Sequence, residues 1–151
     1  MRLTGFTDFA LRTLIYLAVR PDRLCTIADV AGDFGISDSH LTKVVHHLAR
    51  TGEIETVRGH GGGMRLARAA QSINVGSVVR QAEPDMELAA CFDQGKTCAI
   101  APACVLRGAL AEALCAFLAV LDRYSLADLV ADRSGLETLL GIDQPRAEAI
   151  A

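Results

Sequence analysis

Residues 26–67 read TIADVAGDFGISDSHLTKVVHHLARTGEIETVRGHGGGMRLA. Thr26 suits the start of a helix because its hydroxyl can accept a backbone hydrogen bond, and Asp29 can complete a capping box. Gly35 suits the left-handed turn after this helix, and Ser37 is placed to cap the next one. That next helix has one apolar face, formed by Leu41, Val44, Val45 and Leu48. The stretch therefore predicts a helix–turn–helix unit.

A hairpin is predicted directly after this unit. Residues 54–58 and 64–67 contain β-branched and apolar residues, and the glycine-rich segment 59–63 lies between them. This pattern predicts two antiparallel strands joined by a turn. A helix–turn–helix followed by such a hairpin is typical of a winged DNA-binding domain, and we expect it to occupy residues 1–82.

Longer helices flank this domain. Apolar residues recur at helical spacing from Phe6 to Ala18, and Pro21 ends that pattern. From about Ala103 to Arg123 the sequence predicts a helix that is apolar on most sides. Such a helix has to be buried on most sides, which in a chain of 151 residues favours packing against a second copy.

The predicted fold class is mainly α: a winged helix–turn–helix domain with a two-stranded β wing, plus a long C-terminal dimerisation helix. Residues 83–131 would hold an irregular loop and that helix. We expect residues 132–151 to form a partly flexible tail.

Charge is distributed unevenly along the chain. The net charge is −3, but residues 1–80 hold ten basic and seven acidic residues, whereas residues 81–151 hold five and eleven. Between Thr56 and Ala82 there is no acidic residue. This favours contact between the basic half and a polyanion such as double-stranded DNA.

The recognition helix and the wing supply the polar residues that DNA contact needs. The predicted DNA-binding residues are Asp38, Ser39, His40, Lys43, His47, Arg58, His60 and Arg65. The plainer alternative is a small helical core with a solvated basic hairpin.

The five cysteines point away from a secreted disulfide framework, because their number is odd and no secretory signal opens the chain. The longest apolar run, Ala113–Leu121, is nine residues, fewer than the roughly 20 that a membrane span needs. We therefore expect a cytoplasmic protein with no membrane partner.

Three of the cysteines are clustered as Cys91-x6-Cys98-x5-Cys104. Thiolates at this density favour a soft metal ion or an iron–sulfur cluster. The spacing matches a zinc ribbon poorly, although a structural zinc site in a plain transcription factor and a set of free thiols remain alternatives. Cys25 and Cys115 are expected to lie outside the site, since Cys115 falls about 16 Å further along a helix than Cys104.

Asp8 lies in the first turn of the first predicted helix, where the helix dipole favours an acid, and Arg12 is a possible ion-pair partner. By pattern alone it is a surface acid. We expect no enzymatic activity: no His or Asp is patterned beside a cysteine and no cofactor motif occurs, so a thiol enzyme or electron carrier is the least favoured class.

Four blocks together resemble the Rrf-two family of winged-helix regulators, and within it the repressors that sense nitric oxide. They are MRLTGFTDFALR at 1–12, VRGHGGG at 57–63, the three clustered cysteines, and LDRYSLADL at 121–129. The resemblance covers residues 1–131. It implies a homodimer with one [4Fe–4S] cluster per subunit.

The resemblance also implies roles for individual residues. Cys91, Cys98 and Cys104 match the cysteine ligands, and Asp8 matches a fourth ligand supplied by the partner subunit. Arg107 stands where the family's regulators of iron–sulfur assembly have a histidine ligand. The implied function is repression at a palindromic operator, relieved when nitric oxide reacts with the cluster, so that nitric-oxide detoxification genes are expressed. The alternative with the same fold is a [2Fe–2S] redox or iron-status regulator.

Overall fold

The computed structural model describes residues 2–92 and 98–141. Within them the elements are α1 Gly5–Val19, α2 Ile27–Phe34, α3 Asp38–Arg50, β1 Ile54–Val57, β2 Gly63–Leu66, α4 Val75–Ala82, α5 Val105–Leu121, α6 Leu126–Leu129 and α7 Arg133–Leu139. Short 3₁₀ turns occur at Ala70–Ser72, Ala90–Phe92 and Ala101–Ala103. The predicted class, mainly helical with a two-stranded antiparallel wing, is confirmed.

The helix–turn–helix begins with the predicted capping box. The Thr26 hydroxyl accepts from the Asp29 amide at 3.1 Å, and the Asp29 carboxylate accepts from the Thr26 amide at 2.9 Å. Gly35 has φ 65° and ends α2 in the left-handed conformation. Ser37 directly precedes α3 as predicted, but the prediction that its side chain caps the helix is wrong. Its hydroxyl makes no hydrogen bond to a backbone amide of α3 and lies 2.8 Å from His40 Nδ1 instead.

The wing is tied to the segment before α2. Strand β1 pairs antiparallel with β2, with Ile54 opposite Leu66. The Cys25 amide donates to the Met64 carbonyl at 3.0 Å, and the Met64 amide donates back at 2.8 Å. Gly63 permits this close approach, since a Cβ there would lie 2.8 Å from the Cys25 carbonyl oxygen. The hairpin is thereby held against the helix–turn–helix.

One apolar core runs through the described chain, with α1 at its centre. Leu14 and Leu17 of α1 are buried there together with Leu48 of α3. Leu126 of α6, 1% exposed, lies in the same core, so the core extends beyond residue 82. The C-terminal region expected to be a partly flexible tail contains the helix α7, and Leu140 packs against the core. Residues 142–151 lie outside the described ranges.

Helix α5 is uncovered in the single chain. Its bounds agree with the predicted long helix, but none of its seventeen residues is buried. Val105 and Leu106 are 85% and 64% exposed. Across the described residues, no helix combines the length and apolar character needed to cross a membrane.

Candidate nucleic-acid interface and cysteine loop

Helix α3 has the two faces that a recognition helix requires. Leu41, Val44, Val45 and Leu48 face the core, as the apolar spacing predicts. Four of the predicted DNA-binding residues, Asp38, Ser39, His40 and Lys43, are exposed in its first two turns. These turns can therefore present polar side chains to a major groove.

Three exposed residues of α3 were not among the predicted contacts: Thr42, His46 and Arg50. Helical spacing places His46 and Arg50 on the same side of α3 as Ser39 and Lys43. The helical period of 3.6 residues could therefore have identified them as candidate contacts from the sequence. Thr42 is partly engaged, because its hydroxyl donates to the Asp38 carbonyl at 2.8 Å. Arg50 adds a second positive charge to the exposed face that carries Lys43, and His46 adds a polar ring to it.

Two histidines of α3 pack on α1. The His47 ring meets Phe6 edge-on with centroids 5.3 Å apart, and the His40 ring lies 6.1 Å from Phe9. Burial, with a smaller effect from Arg50, lowers the pKa of His47. The structure thus places His47 between α1 and α3, half-buried, rather than on the outermost part of the recognition helix.

The acid-free stretch from Thr56 to Ala82 carries less unpaired positive charge than the sequence suggests. Three of the four arginines in the acid-free stretch form ion pairs with acids outside it: Arg65 with Glu55, Arg68 with Glu53 and Arg80 with Asp122. Arg58 alone among them makes no ion pair within the described ranges. Arg58 and His60 are exposed near the tip of the wing. The unpaired charge of the wing is therefore concentrated at its tip.

The three clustered cysteines lie on turns that lead into α5. Cys91 is half-buried in a 3₁₀ turn, Cys98 is exposed, and Cys104 is the residue immediately before α5. All three are free thiols. The described part of one chain gathers no group of three or more His, Cys, Asp or Glu side chains that could hold one metal ion. Residues 93–97, between Cys91 and Cys98, lie outside the described ranges.

The other two cysteines differ in their surroundings. Cys25 is fully buried, and that burial raises the pKa of its thiol, which favours the unreactive protonated form. Cys115 is exposed on α5. Cys25, which was expected to lie outside the site, is thus a buried residue of the core.

Asp8 is accessible in the first turn of α1. Its carboxylate pairs with Arg12 at 3.0 Å, as the spacing predicts, and its side chain is 45% exposed. The start of α1 is itself fixed by Glu83, whose carboxylate accepts from the Thr4 amide at 2.8 Å. The three free thiols are donors of the kind that hold an iron–sulfur cluster, whereas the described part of one chain does not bring Asp8 into a group with them.

Comparison with known proteins places these features in a family. The sequence model of the Rrf2 family, described as "Iron-dependent Transcriptional regulator", matches residues 3–132. The chain is similar to proteins named HTH-type transcriptional regulator NsrR from Halalkalibacterium halodurans and Bacillus subtilis, each 47% identical over 142 residues. In both cases the alignment covers 93% of this chain and 97% of the relative.

Solved structures of lower sequence similarity share the fold. IscR from T. potens has a TM-score of 0.72 at 21% identity, with 91% of each chain covered. The oxidized form of Staphylococcus aureus CymR has a TM-score of 0.68 at 24% identity, covering 85% of this chain and 95% of that one. The resemblance carried by the four sequence blocks is thus confirmed, and the chain belongs to the Rrf2 family of transcriptional regulators.

Proposed function

We propose that this protein is a nitric-oxide-sensing transcriptional repressor that holds an iron–sulfur cluster and binds a palindromic operator as a homodimer. The observation that carries the proposal is the position of three free thiols on the turns that lead into α5. The family's description as iron-dependent and the relatives' shared name support it.

Cys91, Cys98 and Cys104 would hold the cluster together with Asp8 of the partner subunit. A bound [4Fe–4S] cluster supplies iron that reacts with nitric oxide. The described residues of one chain do not gather three metal-binding side chains, so the three thiols have to come together when the proposed cluster binds. Arg12 would balance the negative charge of Asp8 in protein without the cluster, since the two residues form an ion pair in the single chain.

The uncovered helix α5 supports the homodimer. A helix of seventeen mostly apolar residues with none buried leaves a large apolar surface in water. A second α5 related by a two-fold axis would cover it with an identical surface. The same symmetry matches a palindromic operator, whose half-sites each receive one recognition helix.

The operator contacts are divided between α3 and the wing. Ser39, His40 and Lys43 would reach base edges and phosphates in the major groove from the first turns of α3. Arg58 and His60 at the wing tip would contact the adjacent minor groove or its phosphates. Because Phe6 packs on His47, movement at the start of α1 would be passed to α3.

An anaerobic titration with nitric oxide tests the proposal, with the absorption spectrum and operator binding followed in parallel. We expect the loss of the cluster spectrum and the loss of operator affinity at the same amount of nitric oxide. Cys98→Ser should abolish both responses. Cys115→Ser is the matched control, because both thiols are exposed and the substitution should leave both responses intact.

Two results would contradict the proposal. One is a protein that contains zinc without iron or acid-labile sulfide. The other is a Cys98→Ser variant that keeps the spectrum and the response of the native chain.

A further inference from the structure

The connection between the recognition helix and the wing contains a buried charge. Glu53 lies between α3 and β1 and is 1% exposed. Both of its carboxylate oxygens are bound by Arg68, with Nη2 at 2.6 Å from each and Nε at 3.1 Å from Oε2. Arg68 comes two residues after β2. The pair therefore joins the start of the hairpin to its end.

The backbone of Glu53 makes the same junction. Its amide donates to the carbonyl of Leu48 in α3 at 3.0 Å, and its carbonyl accepts from the amide of Ala67 at 3.0 Å. Glu53 is thus bonded to the last turns of α3 on one side and to the chain leaving β2 on the other. This arrangement fixes the direction in which the hairpin leaves α3.

A second ion pair on the same hairpin provides a contrast. Arg65 and Glu55 lie opposite each other on β2 and β1, but their side chains are 56% and 47% exposed. An exposed pair contributes little because solvent screens it. The Glu53 carboxylate is buried, so loss of its partner would leave an uncompensated charge in the interior. The two pairs therefore differ in how strongly they constrain the wing.

We infer that the Glu53–Arg68 pair positions the wing relative to α3, so that Arg58 can contact DNA while α3 occupies the major groove. Arg68 is a positioning residue here, because Nε and Nη2 of its guanidinium are both bound to Glu53, although its side chain is 44% exposed. The inference rests on the proposed binding of DNA and is independent of the cluster and of nitric oxide.

The test measures how Arg58→Ala acts in different backgrounds, using a DNA duplex selected by the native protein from a random pool. In the native background, Arg58→Ala should weaken binding and lower the slope of log affinity against log salt by about one. In the Arg68→Gln background, the same substitution should change the slope by much less than one. Glu55→Gln is the matched control, and in that background the full effect of Arg58→Ala should persist.

Amide exchange separates a displaced wing from an unfolded protein. In Arg68→Gln the Ala67 amide should exchange at least tenfold faster, while the Val78 amide in α4 keeps its native rate. If Arg68→Gln does not fold, Arg68→Lys serves in its place: it keeps the charge but loses the paired geometry of the guanidinium.

Any one of three results overturns the inference. The first is an Ala67 exchange rate in Arg68→Gln that equals the native rate, and the second is a full effect of Arg58→Ala on the salt slope in the Arg68→Gln or Arg68→Lys background. The third is a native background in which Arg58→Ala has no effect on DNA binding. Failure of the native chain to select any duplex would instead overturn the proposed function. In that case the Ala67 exchange still reports whether the pair holds the wing.

Discussion

The ring of Phe6 in α1 meets the ring of His47 in α3 edge-on, with centroids 5.3 Å apart. Phe6 is two residues from Asp8, the proposed cluster ligand. Phe9, one residue beyond Asp8, lies against His40 in the same helix α3. A single layer of aromatic contacts therefore separates the proposed ligand from the recognition helix, and a shift of the first turns of α1 has to be accommodated by α3.

Phe6→Leu should weaken the coupling between the cluster and DNA. Leucine keeps apolar bulk but loses the edge-on contact with His47, so α3 would follow α1 less closely. We expect the ratio of operator affinities between cluster-loaded and cluster-free protein to fall by several-fold, within the range of ordinary couplings of about 1–3 kcal/mol. Tyr124→Leu is the control, since Tyr124 is an aromatic residue that is 45% exposed and lies outside both α1 and α3. An unchanged ratio would remove Phe6 from the coupling.

The lowered pKa of His47 predicts that the free energy of unfolding depends on pH. Burial lowers the pKa of His47 below its usual value of about 6.5, so the unfolded state binds more protons at this site in the interval between the two values. The free energy of unfolding should therefore rise as pH increases through this interval and fall on acidification. Urea unfolding from pH 5 to pH 8 measures this slope.

The contribution of His47 can be isolated by substitution. His47→Gln should flatten the dependence between pH 5 and pH 7, because the titrating group is removed. Ser39→Gln, at an exposed position of the same helix, removes no titrating group and should leave the dependence as in the native chain. Equal slopes for native protein and His47→Gln would show that His47 is not its source.

Asp8→Ala should change the properties of the cluster while leaving the stability of the fold nearly unchanged. The Asp8–Arg12 pair is about half-exposed, and such pairs at i, i+4 add only about 0.3–0.5 kcal/mol, so the melting temperature should hardly change. The spectrum of the reconstituted cluster and its response to nitric oxide should both change. Asp22→Ala, which removes an exposed acid three residues beyond the end of α1, should alter neither the spectrum nor the response. A native spectrum in Asp8→Ala would exclude Asp8 as a ligand.

The sequence predicted most of what local chemistry controls. The capping box at Thr26, the left-handed Gly35 and the apolar face of α3 all depend on residues within one or two turns, and all were confirmed. Ser37 shows the limit, because its hydroxyl engages the His40 ring rather than a backbone amide. Helix α7 was not predicted, since its packing on α1 depends on the tertiary structure.

The site was less predictable because its contacts are long-range. Arg80 and Asp122 are 42 residues apart in sequence, so an acid-free stretch could not reveal that this arginine is paired. The residue spacing alone made Asp8 a surface acid, since its proposed partners follow it by more than eighty residues and would belong to another subunit. Family resemblance supplied that relationship, whereas the thiol cluster was evident from spacing.

Helix α5 predicts the oligomeric state. The Leu106 side chain is 64% exposed in the single chain and lies on the apolar surface of α5. Leu106→Glu therefore places a charge on that surface without disturbing the core of the protomer. If two α5 helices pack together, the buried carboxylate should shift the protein from dimer to monomer. Light scattering measures this mass, and far-ultraviolet circular dichroism should show unchanged helix content. Arg107→Gln changes the net charge by the same amount at the neighbouring exposed position and is the charge-matched comparison. A Leu106→Glu variant that stays dimeric would place the interface elsewhere.

Gly63→Ala should destabilise the attachment of the wing. A Cβ at this position would lie 2.8 Å from the Cys25 carbonyl oxygen and 3.1 Å from the Leu24 Cβ, so the backbone bridge between Cys25 and Met64 has to open. We expect a loss of about 1–3 kcal/mol in the free energy of unfolding, as for other overpacked sites. Gly32→Ala in α2 is the control, because nothing lies within 4 Å of its added methyl and alanine favours the helix by ~1 kcal/mol. Urea unfolding should thus move the two variants in opposite directions, and a neutral Gly63→Ala would mean that the bridge to Cys25 contributes little to holding the wing.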